Sequence, residues 1–274
     1  FVAGSTVRFG DAGAVVVSVD PDGLTVTTPS GEMSTTVDVA VSNTNGMATL
    51  PRAFSFNGRI GTFAGGGTGH GRPAASVDVG NAFHGVFDAL GRYYFSTGLG
   101  GNRIFRVEGD GTLAHVAGSG TAVSGPDGPA RETAIYGPRG LALSAAGELY
   151  FAEYSGNRVR KIVDGGLVTV AGNGTSGRGG DDGGALDASV GTPYGIAFDS
   201  LGRLLITQPS NYVVRRVDTN GVITTVAGTG TGGYSPAATV ATAANLGSVL
   251  PVIEHPPGSG GFIVGETSGA AGTT

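Results

Sequence analysis

At 274 residues the chain is long enough to bury a substantial core, and 53 glycines and 13 prolines against 14% charged residues disfavour long surface helices. A formal net charge of -5 supplies no basic footprint for nucleic acid or an anionic membrane surface, and the lack of cysteine excludes disulfides and thiolate metal sites. No apolar run approaches the ~20 residues that cross a bilayer as a helix, so membrane insertion is not expected.

Residues 1 to 57 alternate apolar and polar side chains through STVRFG, AVVVSV, GLTVTTP, TTVDVAVSN and ATLPRAFSFN. A period of two sends one face of each segment to a core and the other to water, which predicts half-buried antiparallel strands. Turn formers separate the segments at Pro21 to Gly23, Pro29 to Gly31 and Asn45-Gly46. The expected product is part of a β-sandwich.

From Gly58 onward a longer period takes over. Ala64-Gly65, Ala117-Gly118, Ala171-Gly172 and Ala227-Gly228 recur at intervals of 53, 54 and 56 residues. Gly85, Gly140 and Gly195 recur at 55, and Asn102, Asn157 and Asn211 at 55 and 54. Each unit, as in YGPRGLALSAAGELYFAEYSGNRVRKIVDGGLVTVAG, reads as four short strands joined by a Gly turn, an Asn turn and a second Gly turn. One such sheet cannot cover both of its faces, whereas sheets packed radially bury one another. Residues 58 to 274 therefore predict a β-propeller of four-stranded blades, and the chain as a whole is expected to be all-β.

Within this frame Gly172, Gly174 and Gly177 match G-x-G-x-x-G, a pattern that lets backbone amides approach a pyrophosphate at a helix N-terminus. The residues that follow, RGGDDGGALDASVGTPYG, carry no helical apolar period, and AHVAGSGTAVSG and TTVAGTGTGGYS repeat the same phrase elsewhere. The glycines are read as repeat punctuation, and no cofactor is expected.

Residues 1 to 57 resemble an IPT/TIG domain, an immunoglobulin-like module, through GSTVRFG, GLTVTTPSG, VDVAVSNTNG and LPRAFSFN. The resemblance implies about two further strands before the equivalent of Phe1. The sequence is expected to be an excerpt of a longer polypeptide, the alternative being a strand donated by another subunit. Residues 58 to 274 resemble NHL repeats through NAFHGVFDALGRYYFSTGLGGNRIFRV, GPRGLALSAAGELYFAEYSGNRVRKI and TPYGIAFDSLGRLLITQPSNYVVRRV, with a partial fourth unit in NLGSVLPVIEHPPGSGGFIVGETSG. Six blades of this length need about 330 residues, so the ring is expected to close with sequence beyond this chain. A four-bladed ring is the lesser alternative.

Repetition itself bears on chemistry, because a catalytic group is needed once and a scaffold group in every blade. Asn102, Asn157 and Asn211 are read as turn supports that bond nearby backbone, and Gly85, Gly140 and Gly195 as structural turns. His70, His84, His115 and His255 occupy non-equivalent positions and form no zinc signature, although His84 stands at the entrance to an inner strand. Asp127, Asp181, Asp182 and Asp187 offer oxygen ligands without the spacing of a calcium loop, which favours solvated loops. Arg106, Arg160, Lys161, Arg215 and Arg216 lack interleaved aromatic platforms, which favours packing between blades over phosphate binding. Neither catalytic nor metal residues are assigned. Asn173-Gly174-Thr175 is a candidate N-glycosylation sequon.

These readings converge on a non-catalytic extracellular or cell-surface protein, such as an adhesin or a self-assembling fibre subunit. Its expected partners are a protein or glycan at the propeller loops, or further copies of itself through strand complementation. The rival reading is a propeller lyase or hydrolase with a metal in its central channel.

Overall fold

Alternation at period two, broken by glycine, leaves the chain no stable option except short antiparallel strands, and a computed structural model shows where they pair. It describes residues 6–9, 12–20, 23–27, 36–43, 46–55, 71–77, 79–98, 100–233, 235 and 240–267. Pro21, Pro29 to Gly31, Asn45, Ala64-Gly65 and His70 lie outside the described residues. Two units are resolved, Phe1–Thr62 and Phe63–Thr274.

In the first unit, strands β1 (Thr6–Phe9), β2 (Ala12–Asp20), β3 (Gly23–Thr27), β4 (Thr36–Asn43) and β5 (Gly46–Ser55) form one antiparallel sheet in the order β3-β2-β1-β4-β5. Strand β2 changes partner along its length. Its start pairs with β1 at Val7↔Ala14, and its remainder pairs with β3 from Val15↔Thr27 onward, across a bulge between Val16 and Ser18.

The second unit is a β-propeller. Its first blade contains β6 (Ala82–Phe87), β7 (Tyr93–Thr97), β8 (Arg103–Val107) and β9 (Leu113–Ala117). The second contains β10 (Gly128–Pro129), β11 (Pro138–Leu143), β12 (Leu149–Glu153), β13 (Arg158–Val163) and β14 (Gly166–Ala171). In the third are β15 (Gly183–Gly184), β16 (Ile196–Phe198), β17 (Leu204–Gln208), β18 (Val213–Val217) and β19 (Val222–Ala227), and β20 (Ser248–Glu254) pairs with β21 (Phe262–Thr267) in the last sheet.

The four-stranded meander is therefore present, with an addition that periodicity did not reveal. The connection entering a blade first lays two residues along that blade's outer strand, as Gly128↔Leu167 and Gly183↔Ile223, before it turns inward. The bridge Pro73↔Thr112 repeats this in the first blade. These short pairings cover an outer edge that would otherwise present unpaired backbone.

The core is laminar. Ile104, Leu141, Phe151 and Leu167 fill the space between the first and second blades, and Ala152, Val159, Ile206 and Ile223 fill the next. Alternate residues of one strand serve opposite layers: Tyr94 packs toward the second blade and Phe95 away from it. Burying Phe151 completely stabilises the stack by roughly 2 to 3 kcal/mol.

Candidate functional site

The inner strands β6, β11 and β16 are entered through the triplets Phe83-His84-Gly85, Pro138-Arg139-Gly140 and Pro193-Tyr194-Gly195. Bulges interrupt β6 between Ala82 and Gly85 and β11 between Pro138 and Leu141, releasing the intervening residues from their own sheets. Their polar groups turn to neighbouring blades. The Arg139 carbonyl accepts Ser96 Oγ–H at 2.6 Å, and Gly140 N–H donates to the Tyr194 carbonyl at 2.8 Å.

The three glycines are not equivalent in cause. A Cβ on Gly140 would stand 2.5 Å from the Tyr194 carbonyl oxygen, and one on Gly195 would overlap the Leu250 carbonyl, so both mark close approach between inner strands. At Gly85 the obstacle is the Tyr93 ring of the same sheet.

His84 Nδ1 accepts Leu141 N–H at 3.1 Å, so in the neutral ring the proton sits on Nε2. The residue faces solvent by its accessible surface, yet the walls around the imidazole desolvate it enough to hold its pKa below the ordinary value of 6.5. His115 Nε2 lies 2.7 Å from the Gly118 carbonyl and 3.1 Å from that of Ala117. Carbonyls only accept, so this nitrogen carries the proton.

Beside these links, side chains from all three blades meet around Arg139. Its guanidinium carbon lies 3.5 Å from the Phe83 ring centroid, 5.1 Å from Tyr154 and 5.7 Å from Tyr194. Tyr154 and Tyr194 meet edge to face, with centroids 6.3 Å apart and planes at 88°. All four residues are partly exposed. The Phe83 ring fits because a Cβ on Gly98 would overlap it. Arg139 Nε is buried without a hydrogen-bond partner, and its terminal nitrogens donate to no described residue.

The other internal arginines are treated differently. Arg160 is fully buried and reaches the Pro126 carbonyl at 2.8 Å, Asp127 Oδ1 at 2.9 Å, the Gly125 carbonyl at 3.3 Å and Glu153 Oε2 at 3.4 Å. Arg215, equally buried, holds Asp181 and the Ser189 carbonyl. Asp127 and Asp181 are thus arginine partners rather than free oxygen ligands. Burial raises the Asp127 pKa, but hydrogen bonds from Thr169 and the charge of Arg160 bring it, on balance, below the ordinary carboxylate value. Desolvation raises that of Glu153, which accepts Tyr136 N–H at 2.7 Å. Arg106 pairs with Glu108, Lys161 with Glu148 at 2.8 Å, and Arg216 is half-buried. These cations are therefore distributed among the blades in separate settings.

Asn102 and Asn157 adopt left-handed backbone, φ 45° and 54°, and each Oδ1 accepts an N–H from the connection into the next blade, Gly137 and Thr192, both at 3.0 Å. In the third blade the left-handed position falls on Tyr212, φ 54°, rather than Asn211. Asn211 instead accepts Gln208 Nε2–H at 3.1 Å from within a 3-10 turn, and the Tyr212 ring occupies the space a Cβ on Gly232 would need. The 54-residue interval was the signal of this slip.

Gly172 and Gly174 carry φ of 93° and 88°, and Gly172 N–H donates to the Ala185 carbonyl, which makes the phosphate-like phrase part of a blade connection. Asn173 is exposed; its Nδ2 donates to the Asp187 carbonyl at 2.9 Å and its Oδ1 accepts Thr175 N–H at 2.8 Å. Asp182 adopts a left-handed turn, φ 62°. Among the described residues no three His, Asp or Glu side chains are grouped to hold a metal, and no helix is long and apolar enough to cross a membrane.

No protein-family model matches the chain. Suppressor of Quenching 1, a chloroplastic protein of Arabidopsis thaliana, is 29% identical over 96 residues, which are 34% of this chain and 9% of that protein's length. Among solved structures, an auxiliary nutrient binding protein from Bacteroides ovatus aligns at 15% identity and a TM-score of 0.50 over 91% of this chain and 71% of its own. Virginiamycin B lyase from Staphylococcus aureus aligns at 15% identity and a TM-score of 0.40, over 90% and 72% respectively. What this chain shares with the solved structures is an all-β propeller fold.

Proposed function

We propose that the protein is a non-catalytic extracellular recognition scaffold, in which an immunoglobulin-like module of the IPT/TIG kind leads into an NHL-type propeller that binds its ligand at the Arg139 mouth. The two family assignments rest on the residues quoted for them. The observation that carries the functional reading is the contrast between arginines. The terminal nitrogens of Arg160 and Arg215 are held by scaffold acceptors, whereas Arg139, a partly exposed residue, sits among three aromatic rings with its terminal nitrogens bonded to none of the described residues. A cation and rings that converge from three blades form a recognition surface on a rigid support.

Immobilised protein probed with glycan and peptide arrays tests this. Saturable binding that Tyr154→Ala and Tyr194→Ala abolish without lowering the melting temperature is expected. Binding indifferent to both substitutions, or turnover dependent on a stoichiometric metal, would overturn it.

A further inference from the structure

We propose that the Arg139 mouth takes a hexuronate residue of an acidic glycan, the guanidinium fork receiving the carboxylate while Tyr154 and Tyr194 receive the sugar ring. This deepens the recognition reading and depends on it. Stacking of the guanidinium on Phe83, with weaker contributions from Tyr154 and Tyr194, is offset by the cost of leaving the buried Nε–H unsatisfied. Packing by itself makes no use of the terminal nitrogens, and an uncharged side chain of similar volume would fill the space without that cost. Arg160 also leaves its Nε unpartnered, but its terminal nitrogens hold four acceptors; those of Arg139 hold none among the described residues.

A single fork, with the chain's one lysine, Lys161, held by Glu148, matches a single negative charge in planar, bidentate geometry, which describes a carboxylate better than a dianionic phosphate. A net charge of -5 further disfavours a polyanion held by electrostatics over a wide area. The Tyr154 and Tyr194 rings, both partly exposed, stand beside the cation with their planes at 88°. The C–H face of a pyranose packs on the face of an aromatic ring, and the Tyr hydroxyls lie at the polar tip of each ring, where sugar hydroxyls meet them. A carboxylate attached to a pyranose uses both halves of the site at once.

Calorimetric titration of the whole chain with an oligogalacturonide, its methyl ester, a sulfated oligosaccharide and an oligoglutamate peptide tests the assignment. The oligogalacturonide is expected to bind saturably. Methyl esterification, which keeps the ring and removes the charge, is expected to weaken binding roughly 10- to 100-fold, as is Arg139→Gln. Arg139→Lys should recover only part of the loss, because it restores charge without the fork. The esterified ligand tests the wild-type protein, so the proposal stays exposed even if a variant fails to fold. Equal affinity for the methyl ester, preference for the sulfated sugar or the peptide, or no uronate binding overturns the hexuronate assignment. Loss of peptide or neutral-sugar binding on Tyr154→Ala would leave the recognition reading standing, whereas no ligand binding at the mouth would remove both.

Discussion

Two residues show how single side chains tie the blades together. Asn157 combines a backbone conformation with side-chain bonds: φ of 54° suits Asn or Gly, its Oδ1 accepts Thr192 N–H, and its Nδ2 donates to the Gly174 carbonyl at 3.3 Å. The two kinds of contribution separate by substitution. Asn157→Gly keeps the conformation and loses both bonds, at an expected cost of about 1 to 2 kcal/mol, and Asn157→Ala adds a left-handed penalty of about 1 to 2 kcal/mol. Denaturant unfolding of both variants checks the order. Glu254 is the second case. Its carboxylate accepts Ser200 Oγ–H at 2.6 Å and Gly260 N–H at 3.2 Å, and these, together with the backbone N–H groups of Ser200 and Gly258, lower its pKa from 4.5 to about 2. A carboxyl whose folded pKa is depressed stabilises the fold above the unfolded value, and that contribution is lost as pH falls from 4.5 through about 2. Ser200→Ala should move the carboxyl titration, followed by carbon NMR, back toward 4.5.

At the level of the strand, neighbouring inner strands are joined by one carbonyl per junction, and the donor depends on what the second strand of the blade supplies. Where β12 has Ala152, Gly140 N–H bonds Tyr194 directly; where β17 has Thr207, its hydroxyl accepts Gly195 N–H at 2.8 Å and donates to the Leu250 carbonyl at 2.8 Å. Ser96 on β7 donates to Arg139 in the same way. Thr207→Val keeps the volume and deletes the relay, leaving a buried N–H and a carbonyl unpaired. The expected loss is about 1 to 3 kcal/mol, readable by denaturant unfolding, with an Ala152→Ser control showing no comparable gain because that junction is already closed.

Across the propeller, stability resides between sheets, so a bond from one blade to the next influences the whole stack. His84 makes such a bond through Nδ1. Protonation there would set two donors against each other, and desolvation already lowers the folded pKa below 6.5. The contribution is therefore fully present above the unfolded value and declines as pH falls through the lowered folded value. His84→Ala should cost about 1 kcal/mol at pH 8 and flatten the loss of stability expected of the wild-type protein toward pH 5. Unfolding at both pH values checks this.

The periods of two and of about 55 residues determined by themselves that this chain is all-β, where its strands run and that its glycines serve architecture, because each depends on local geometry repeated along the chain. Even the clamp asparagines Asn102 and Asn157 are legible as turn formers, although their bonds to the following blade are not. What only the tertiary structure decided is which residues face one another. Asp127 and Asp181 looked like solvated loop acids until buried arginines of the third strands met them. Phe83, Arg139, Tyr154 and Tyr194 belong to three sequence repeats and share no motif. The one trace they leave is the variable residue before each repeated glycine, His84, Arg139 or Tyr194, inside an otherwise constant frame. Their meeting depends on bulges that free the inner strands and on the stacking of separate sheets, and non-local packing of that kind leaves no period in the sequence.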